Sequence, residues 1–102
     1  MTDRLDVDLE GGLRAYLADH DGAVTVRGAT RHGCCGGTVL VPVADAGPPE
    51  DTQGHALVER DGIRVFVERR LLPAVTTRLR IGVEGLGRWR RLWLEGLEAR
   101  ID

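Results

Sequence analysis

The stretch HALVERDGIRVFVERRLL, residues 55–72, contains two strand-like runs separated by Asp61 and Gly62. Asp-Gly between two such runs is typical of a β-hairpin, because a type I′ turn needs positive φ at both central residues. In the second run, Ile63, Val65 and Val67 alternate with a mixed set of residues, as expected for a strand whose two faces differ. The stretch therefore predicts an antiparallel hairpin that ends before proline 73.

Further strands are predicted on both sides of this hairpin. The runs AVTVRGAT (residues 23–30) and TVLVPVADA (residues 38–46) alternate in the same way. Pro42 should place the second of these strands at a sheet edge or a bulge, because proline cannot donate to a hydrogen-bond ladder. After the hairpin, TTRLRIGVEGL (residues 76–86) alternates again, whereas RWRRLWLEGLEARI (residues 88–101) fits either a strand or a short helix.

The N-terminal segment predicts a helix. Apolar and aromatic residues share one helical face there, namely Leu9, Leu13, Tyr16 and Leu17. Asp6 or Asp8 is the candidate N-cap, and the sequence DHDG at residues 19–22 should end the helix. The glycines at positions 11 and 12 weaken the helix by up to about 1 kcal/mol each.

These elements predict a single domain over residues 1–102, which is a normal length for one domain. The predicted class is α+β and mainly β, with one N-terminal helix followed by five or six mostly antiparallel strands. The composition, with 42% hydrophobic and 29% charged residues, is that of an ordinary globular protein.

The charge balance argues against a general nucleic-acid binder, because the net charge is −2. Residues 1–51 carry four arginines against nine acids, whereas residues 52–102 carry ten arginines against seven acids, so the second half could form a basic face. The sequence contains no lysine, asparagine or serine, which indicates a GC-rich coding bias and a bacterial source. The absence of serine also excludes Ser-His-Asp chemistry.

The N-terminal sequence MTDRLDVDLEGG is acidic and has no apolar run of signal-peptide length. The chain also has no stretch of roughly 20 apolar residues that would span a membrane. We therefore expect a cytoplasmic protein, in which thiols are kept reduced and cysteines are more often ligands or redox groups than structural cross-links.

The sequence RHGCCGG, residues 31–37, holds both cysteines of the chain, Cys34 and Cys35. Neighbouring side chains in a regular strand point to opposite faces, so the two thiols would not act together there. The flanking glycines favour a turn in which both sulfurs face one target, and they are Gly33, Gly36 and Gly37. The backbone amides of this turn would form an anion-binding nest.

The thiols, together with His32, provide three candidate metal donors, whereas a zinc or iron–sulfur site usually has four. A homodimer sharing four thiolates across its twofold axis would suit a two-iron, two-sulfur cluster or a single soft metal. The alternative is a thiol redox role, in which Cys34 and Cys35 are nucleophile and resolving cysteine. Because both uses remain open, the sequence does not decide whether the protein is an enzyme.

The segment GRWRRLWLEGL predicts a second candidate surface, because tryptophan and arginine are favoured at protein interfaces. Its candidate partner-binding residues lie within 88–93 and are Trp89, Arg90, Arg91 and Trp93. This segment supports a third hypothesis, a binding module without chemistry. The alternative is that both tryptophans pack on the core while the arginines face water.

The order of one helix, then AVTVRGATRHGCCGGTVLVPVADA, then DGIRVFV resembles the HesB-like family of A-type iron–sulfur carriers. It is closest to a small HesB-like group marked by a Cys-Cys or Cys-selenocysteine pair. The resemblance implies a HesB-like fold, iron or an iron–sulfur cluster bound at Cys34 or Cys35, and an iron–sulfur or redox protein as partner. The family's C-terminal Cys-Gly-Cys is missing, because this chain ends LEGLEARID.

Overall fold

The computed structural model describes residues 7–32, 37–85, 89–97 and 100–101. These residues form eight strands: β1 (Val7–Leu9), β2 (Ala23–His32), β3 (Thr38–Ala46), β4 (His55–Arg60), β5 (Ile63–Glu68), β6 (Val75–Glu84), β7 (Arg91–Leu97) and β8 (Arg100–Ile101). The helix α1 spans Leu13–Leu17, and 3₁₀ helices span Ala18–His20 and Arg69–Ala74.

The strands form two mixed sheets, a three-stranded sheet in the order β1-β6-β7 and a five-stranded sheet in the order β4-β5-β2-β3-β8. The pairings β1–β6 and β2–β5 are parallel, and the other four are antiparallel. The five strands that alternation indicates are present and the ambiguous final segment also forms strands, so the mainly β class is confirmed, but the predicted count of five or six strands was too low. The two additional strands, β1 and β8, are three and two residues long and therefore too short for a periodic signal.

The hairpin prediction around Asp-Gly is confirmed. β4 ends at Arg60, β5 begins at Ile63, and these two residues face each other in the antiparallel register. Asp61 and Gly62 have φ values of 54° and 80°, the left-handed backbone that a type I′ turn requires.

The helix is shorter than predicted and follows a strand. Leu9 belongs to β1, and the next residue continues the pairing because the Glu10 N–H donates to Ile81 O at 3.0 Å. The two glycines then turn the chain, and α1 begins at Leu13 without a side-chain cap. The capping prediction was wrong for Asp8, which lies in β1, and Asp6 is outside the described residues. The predicted end is confirmed, since Asp21 adopts a left-handed φ of 62°.

One buried cluster contains residues from both sheets and from the helix. Its members are Val7, Leu13, Leu17, Val24, Val26, Ile63, Val65, Val67, Leu71, Leu79 and Ile81. The cluster therefore fixes the N-terminal half of β2 and most of β5. Within the described ranges, no helix has the length and apolar character needed to cross a membrane.

Candidate functional site

Past the end of β5 the larger sheet continues as the β2–β3 ladder, which β8 borders at Val39 and Leu40. β2 pairs with β5 only from Ala23 to Val26, whereas its antiparallel pairing with β3 continues to His32. At about 3.3 Å per residue, the last six residues of β2 carry this ladder roughly 20 Å past the last residue pair of β2 with β5. We call this part, residues 27–32 with 38–43, the β2–β3 ribbon.

The cysteine motif joins the two strands at the tip of the β2–β3 ribbon. The last residue pair of the ladder is His32 and Thr38, so residues 33–37 connect the strand ends. His32 and Gly37 are exposed, and a Cβ on Gly37 would meet nothing within 4 Å. Cys34, Cys35 and the glycines at 33 and 36 lie outside the described residues. The orientation of their thiols and the anion nest stay predictions.

The three histidines of the chain lie apart. His32 is at the ribbon tip, His20 stacks near Tyr16 with ring centroids 5.4 Å apart, and His55 Nδ1 lies 3.2 Å from Gln53 O at the start of β4. In the part of the chain that the structure describes, no three His, Cys, Asp or Glu residues gather where they could hold a metal ion.

A charged clamp holds the root of the β2–β3 ribbon. Glu68, at the end of β5, accepts a hydrogen bond of 2.8 Å from the Gly28 N–H, and Arg70 donates to Gly28 O at 3.0 Å. Arg70 Nε also lies 3.1 Å from Glu68 Oε1. The two side chains therefore bind both backbone groups of Gly28 where β5 no longer pairs with β2.

The pKa of Glu68 reflects this clamp. Burial raises the pKa of the carboxyl, but the Gly28 hydrogen bond, Arg70 and His55 lower it by more, and the net pKa lies below its usual value of 4.5. The carboxylate form is therefore the one that the fold stabilises. Sequence analysis did not identify Glu68 or Arg70, because their partner Gly28 is 40 residues away from Glu68 and gives no periodic signal.

Pro42 occupies the free edge of the β2–β3 ribbon, as its chemistry predicts. Its ladder partner is Gly28, whose N–H points to Glu68 and thus away from β3. Gly28 and Pro42 are therefore a non-hydrogen-bonded pair of the antiparallel ladder. In such a pair the main-chain groups of each residue point away from the partner strand, so the nitrogen of Pro42 also faces away from β2. The missing N–H therefore breaks no bond between β2 and β3.

The short strand β8 reaches β3 close to the cysteine motif. Val39 pairs with Ile101 and Leu40 with Arg100 in an antiparallel register. Val39 is only two residues beyond Gly37, so the last strand of the chain lies beside the tip-proximal end of β3. The final segment, which the sequence left ambiguous, forms strands β7 and β8.

An open cavity of about 480 Å³ lies on the face of the larger sheet that carries Thr25 and Arg27. Its walls include Asp45, Glu68 and the loop at residues 47–51. Arg27 and Asp45 form an ion pair across β2 and β3. The cavity therefore borders the clamp at the root of the ribbon rather than the cysteine motif at its tip.

Trp93 packs on the outside of the smaller sheet. It faces Gly82 across the β6–β7 ladder, and a Cβ at Gly82 would overlap the indole ring. The Arg80 guanidinium carbon lies 5.8 Å from the ring centroid of Trp93, within cation–π range. Trp93 is half-buried by these contacts and does not belong to the buried core cluster.

Trp89 is the most exposed large apolar residue that the structure describes, with 78% of its surface accessible. The neighbouring arginines contact other groups. Arg90 lies 5.1 Å from the ring centroid of Tyr16, and Arg91 Nε donates to Glu84 at 3.0 Å. The interpretation that both tryptophans pack on the core is wrong for Trp89, while the partner-binding role of this segment remains a prediction.

The fold and the motif define a class, a mainly β α+β domain with paired cysteines in the connection between two antiparallel strands. The chain belongs to the CC/Se motif containing family, whose model matches residues 5–97. The fold is similar to that in the crystal structure of Escherichia coli SufA, a protein involved in biosynthesis of iron–sulfur clusters. The TM-score is 0.56 at 18% identity, over 94% of this chain and 85% of that chain. No curated protein sequence matches the chain.

Proposed function

We propose that the protein is a HesB-like binder of iron, an iron–sulfur cluster or another soft metal, and that Cys34 and Cys35 supply its thiolate ligands. Soft thiolates select iron–sulfur clusters and soft metal ions over hard cations such as magnesium. The family is named for its CC/Se motif, and a protein of similar fold is involved in iron–sulfur cluster biosynthesis. Both findings support a metal role for the paired cysteines.

The observation that carries this proposal is the position of the cysteine motif at the exposed end of the β2–β3 ladder. The residues on either side of the cysteine motif, His32 and Gly37, are exposed and lie roughly 20 Å beyond the last β2–β5 pair. A motif carried this far from the buried cluster is available to a metal ion, a cluster or a second protein. A cysteine used only as a small core residue would be expected among the packed strands instead.

The donor set of one chain is incomplete for a four-coordinate site. Cys34, Cys35 and His32 provide three donors, and among the described residues no three His, Cys, Asp or Glu gather into a metal site that could complete the set. We therefore propose that a second copy of the chain, or an iron–sulfur or redox partner protein, completes the coordination. In a reducing cytoplasm both thiols would be free to bind.

The test is anaerobic reconstitution with ferrous iron and sulfide, followed by metal analysis and visible absorbance. We expect bound iron and thiolate-to-iron absorbance in the natural protein, and loss of both in the Cys34→Ser/Cys35→Ser variant. His32→Ala should weaken iron binding, whereas His55→Ala, which changes a histidine at the start of β4 rather than at the ribbon tip, should not. A colourless natural protein without bound iron would contradict the proposal.

A thiol redox function is the alternative. The adjacency of Cys34 and Cys35 allows one thiol to attack and the other to resolve the product, and the exposed His32 nearby would favour a thiolate. This function predicts rapid alkylation of one thiol at neutral pH and reversible loss of two thiols on mild oxidation. Alkylation at the rate of an ordinary thiol would count against it.

A partner-binding module without chemistry is the second alternative, and the exposure of Trp89 favours it. Exposed tryptophans are frequent anchors of protein interfaces. In this case the Cys34→Ser/Cys35→Ser variant would retain full partner binding, while Trp89→Ala would lose it. The opposite pattern would assign binding to the cysteine motif.

A further inference from the structure

We infer that the edge strand β4 binds a second copy of the same chain, as an antiparallel β4–β4 pair with its twofold axis at Leu57. This inference does not depend on metal binding. β4 lies at one edge of the five-stranded sheet, and among the described strands it pairs only with β5. Unpaired strand edges are the usual template for strand addition.

The hydrogen-bond pattern shows which groups of β4 are available. The Arg69 N–H donates to Gly54 O at 2.9 Å, which makes this pair a hydrogen-bonded pair of the β4–β5 ladder. Because such pairs alternate, the main-chain groups of Ala56, Val58 and Arg60 face β5. The groups of Leu57 and Glu59 therefore point outward, away from β5.

The same residues carry the exposed side chains of β4. Leu57 is 52% exposed, which is unusual for a large apolar residue in this chain, and Glu59 is exposed beside it. Val58, on the opposite face of the strand, packs against the buried core cluster. At Leu57 and Glu59 the outward edge of β4 thus presents main-chain groups together with an apolar side chain. The outward N–H of His55, by contrast, already donates to Thr52 O at 3.2 Å.

This pattern selects one register for a symmetric pair. Outward-facing groups must meet outward-facing groups, so the twofold axis can pass through position 56, 57 or 58. An axis at 56 places Leu57 opposite His55, and an axis at 58 places it opposite Glu59. An axis at 57 places Leu57 opposite its own copy and His55 opposite Glu59. This register alone joins apolar to apolar and imidazole to carboxylate.

The resulting dimer joins two five-stranded sheets edge to edge and leaves the cysteine motifs far apart. β3 is three strands away from β4, so seven strand spacings of about 4.8 Å separate the two copies of β3 by roughly 34 Å. A metal cluster cannot be shared across this interface. A pair of six-residue strands also buries little area compared with the roughly 1,200–2,000 Å² of stable interfaces. We therefore expect a dimer that forms only as the protein concentration rises.

The first test is sedimentation velocity of the metal-free protein over a wide range of concentrations. We expect the natural chain to form a dimer as concentration rises, and Leu57→Arg to remain monomeric because two guanidinium groups would face each other. Trp89→Arg is the matched control, since it replaces another exposed apolar residue with the same charge, and it should still dimerise. A natural chain that stays monomeric at every concentration would overturn the inference.

The second test fixes the register by disulfide formation in a Cys34→Ser/Cys35→Ser background. In the proposed register the two copies of residue 57 have Cα atoms about 5.5 Å apart, inside the roughly 4.4–6.8 Å range of disulfides. Leu57→Cys should therefore cross-link under mild oxidation, and Glu59→Cys should not, because residue 59 faces residue 55. Cross-linking of Glu59→Cys alone, or of neither variant, would overturn the inference. This background binds no metal through the motif, so the result is independent of the proposed function.

Discussion

The two halves of β2 lie in different surroundings. From Ala23 to Val26 the strand is buried between β5 and β3, and its side chains are at most 5% exposed. From residue 27 to His32 it pairs with β3 alone, and its described side chains are half-buried or exposed. One strand thus has a packed half that belongs to the core and an exposed half that supports the cysteine motif.

The difference shows how a small domain separates stability from function. The packed half gains stability from apolar burial, whereas the exposed half depends on hydrogen bonds and on the Glu68–Arg70 clamp at its root. A substitution in the first half should therefore act on global unfolding. A substitution in the exposed half of β2 should instead change the free energy of local opening of the ribbon.

The largest expected effect comes from truncating the packed half. Val26→Ala should lower the free energy of unfolding by roughly 2 kcal/mol, because it removes buried methyl groups and leaves a cavity. Thr30→Ala, in the exposed half, should change it by less than about 0.5 kcal/mol. Urea denaturation of both variants measures the difference. Equal losses would show that the two halves are not energetically distinct.

The next effect concerns the clamp. Glu68→Gln removes the charge from the hydrogen bonds to Gly28 and Arg70 and should lower the free energy of unfolding by about 1 kcal/mol. Hydrogen exchange of the Gly28 amide should accelerate more than that of Val24. Glu95→Gln is the matched control, since Glu95 has a side chain 60% exposed and pairs with Arg80. It should cost less than about 0.5 kcal/mol.

The clamp also predicts a pH dependence. The pKa of Glu68 is lower in the folded chain than its usual value of 4.5, so the unfolded chain takes up this proton first. The stabilisation by the carboxylate is present above pH 4.5 and is lost as the pH falls through the folded pKa. The difference in unfolding free energy between the natural protein and Glu68→Gln should therefore shrink below pH 4.5. A difference that grows in acid would contradict this assignment.

The smallest effect is expected from the surface ion pair at the start of the exposed half. Arg27 and Asp45 have side chains 44% and 47% exposed, so solvent screens their attraction. Arg27→Ala should lower the free energy of unfolding by about 0.2–1 kcal/mol, and added salt should reduce the difference. A double-mutant cycle with Asp45→Asn isolates the pair. A coupling that salt leaves unchanged would show that the pair is more buried than its exposure indicates.

Local patterns predicted much of the fold. Alternation located five strands and left the final segment open between strand and helix, and Asp-Gly located the hairpin because its turn chemistry is encoded in two adjacent residues. The helix was predicted too long because Leu9 happens to stand four residues before Leu13, while the pairing of β1 with β6 depends on residues 72 positions away. Parallel pairing of β2 with β5 is equally non-local and has no signature in either strand.

The candidate site was predicted in part. The sequence placed the cysteine motif between two strands, and the ladder from Val24 to His32 confirms those strands. Nothing in the sequence indicated that the pairing of β2 with β5 ends at Val26, since the length of this ladder depends on where β5 ends. The Glu68–Arg70 clamp was missed for the same reason, because it joins segments distant in sequence.

Pro42 has a consequence for how this protein can assemble. Beyond the two residues that pair with β8, the outer edge of β3 offers a row of main-chain donors and acceptors to which the strand of another chain could add. A residue without an amide hydrogen within that row interrupts it, whereas β4 contains no proline. Pro42 therefore hinders strand addition along β3, whereas the edge of β4 is open to the pairing inferred above.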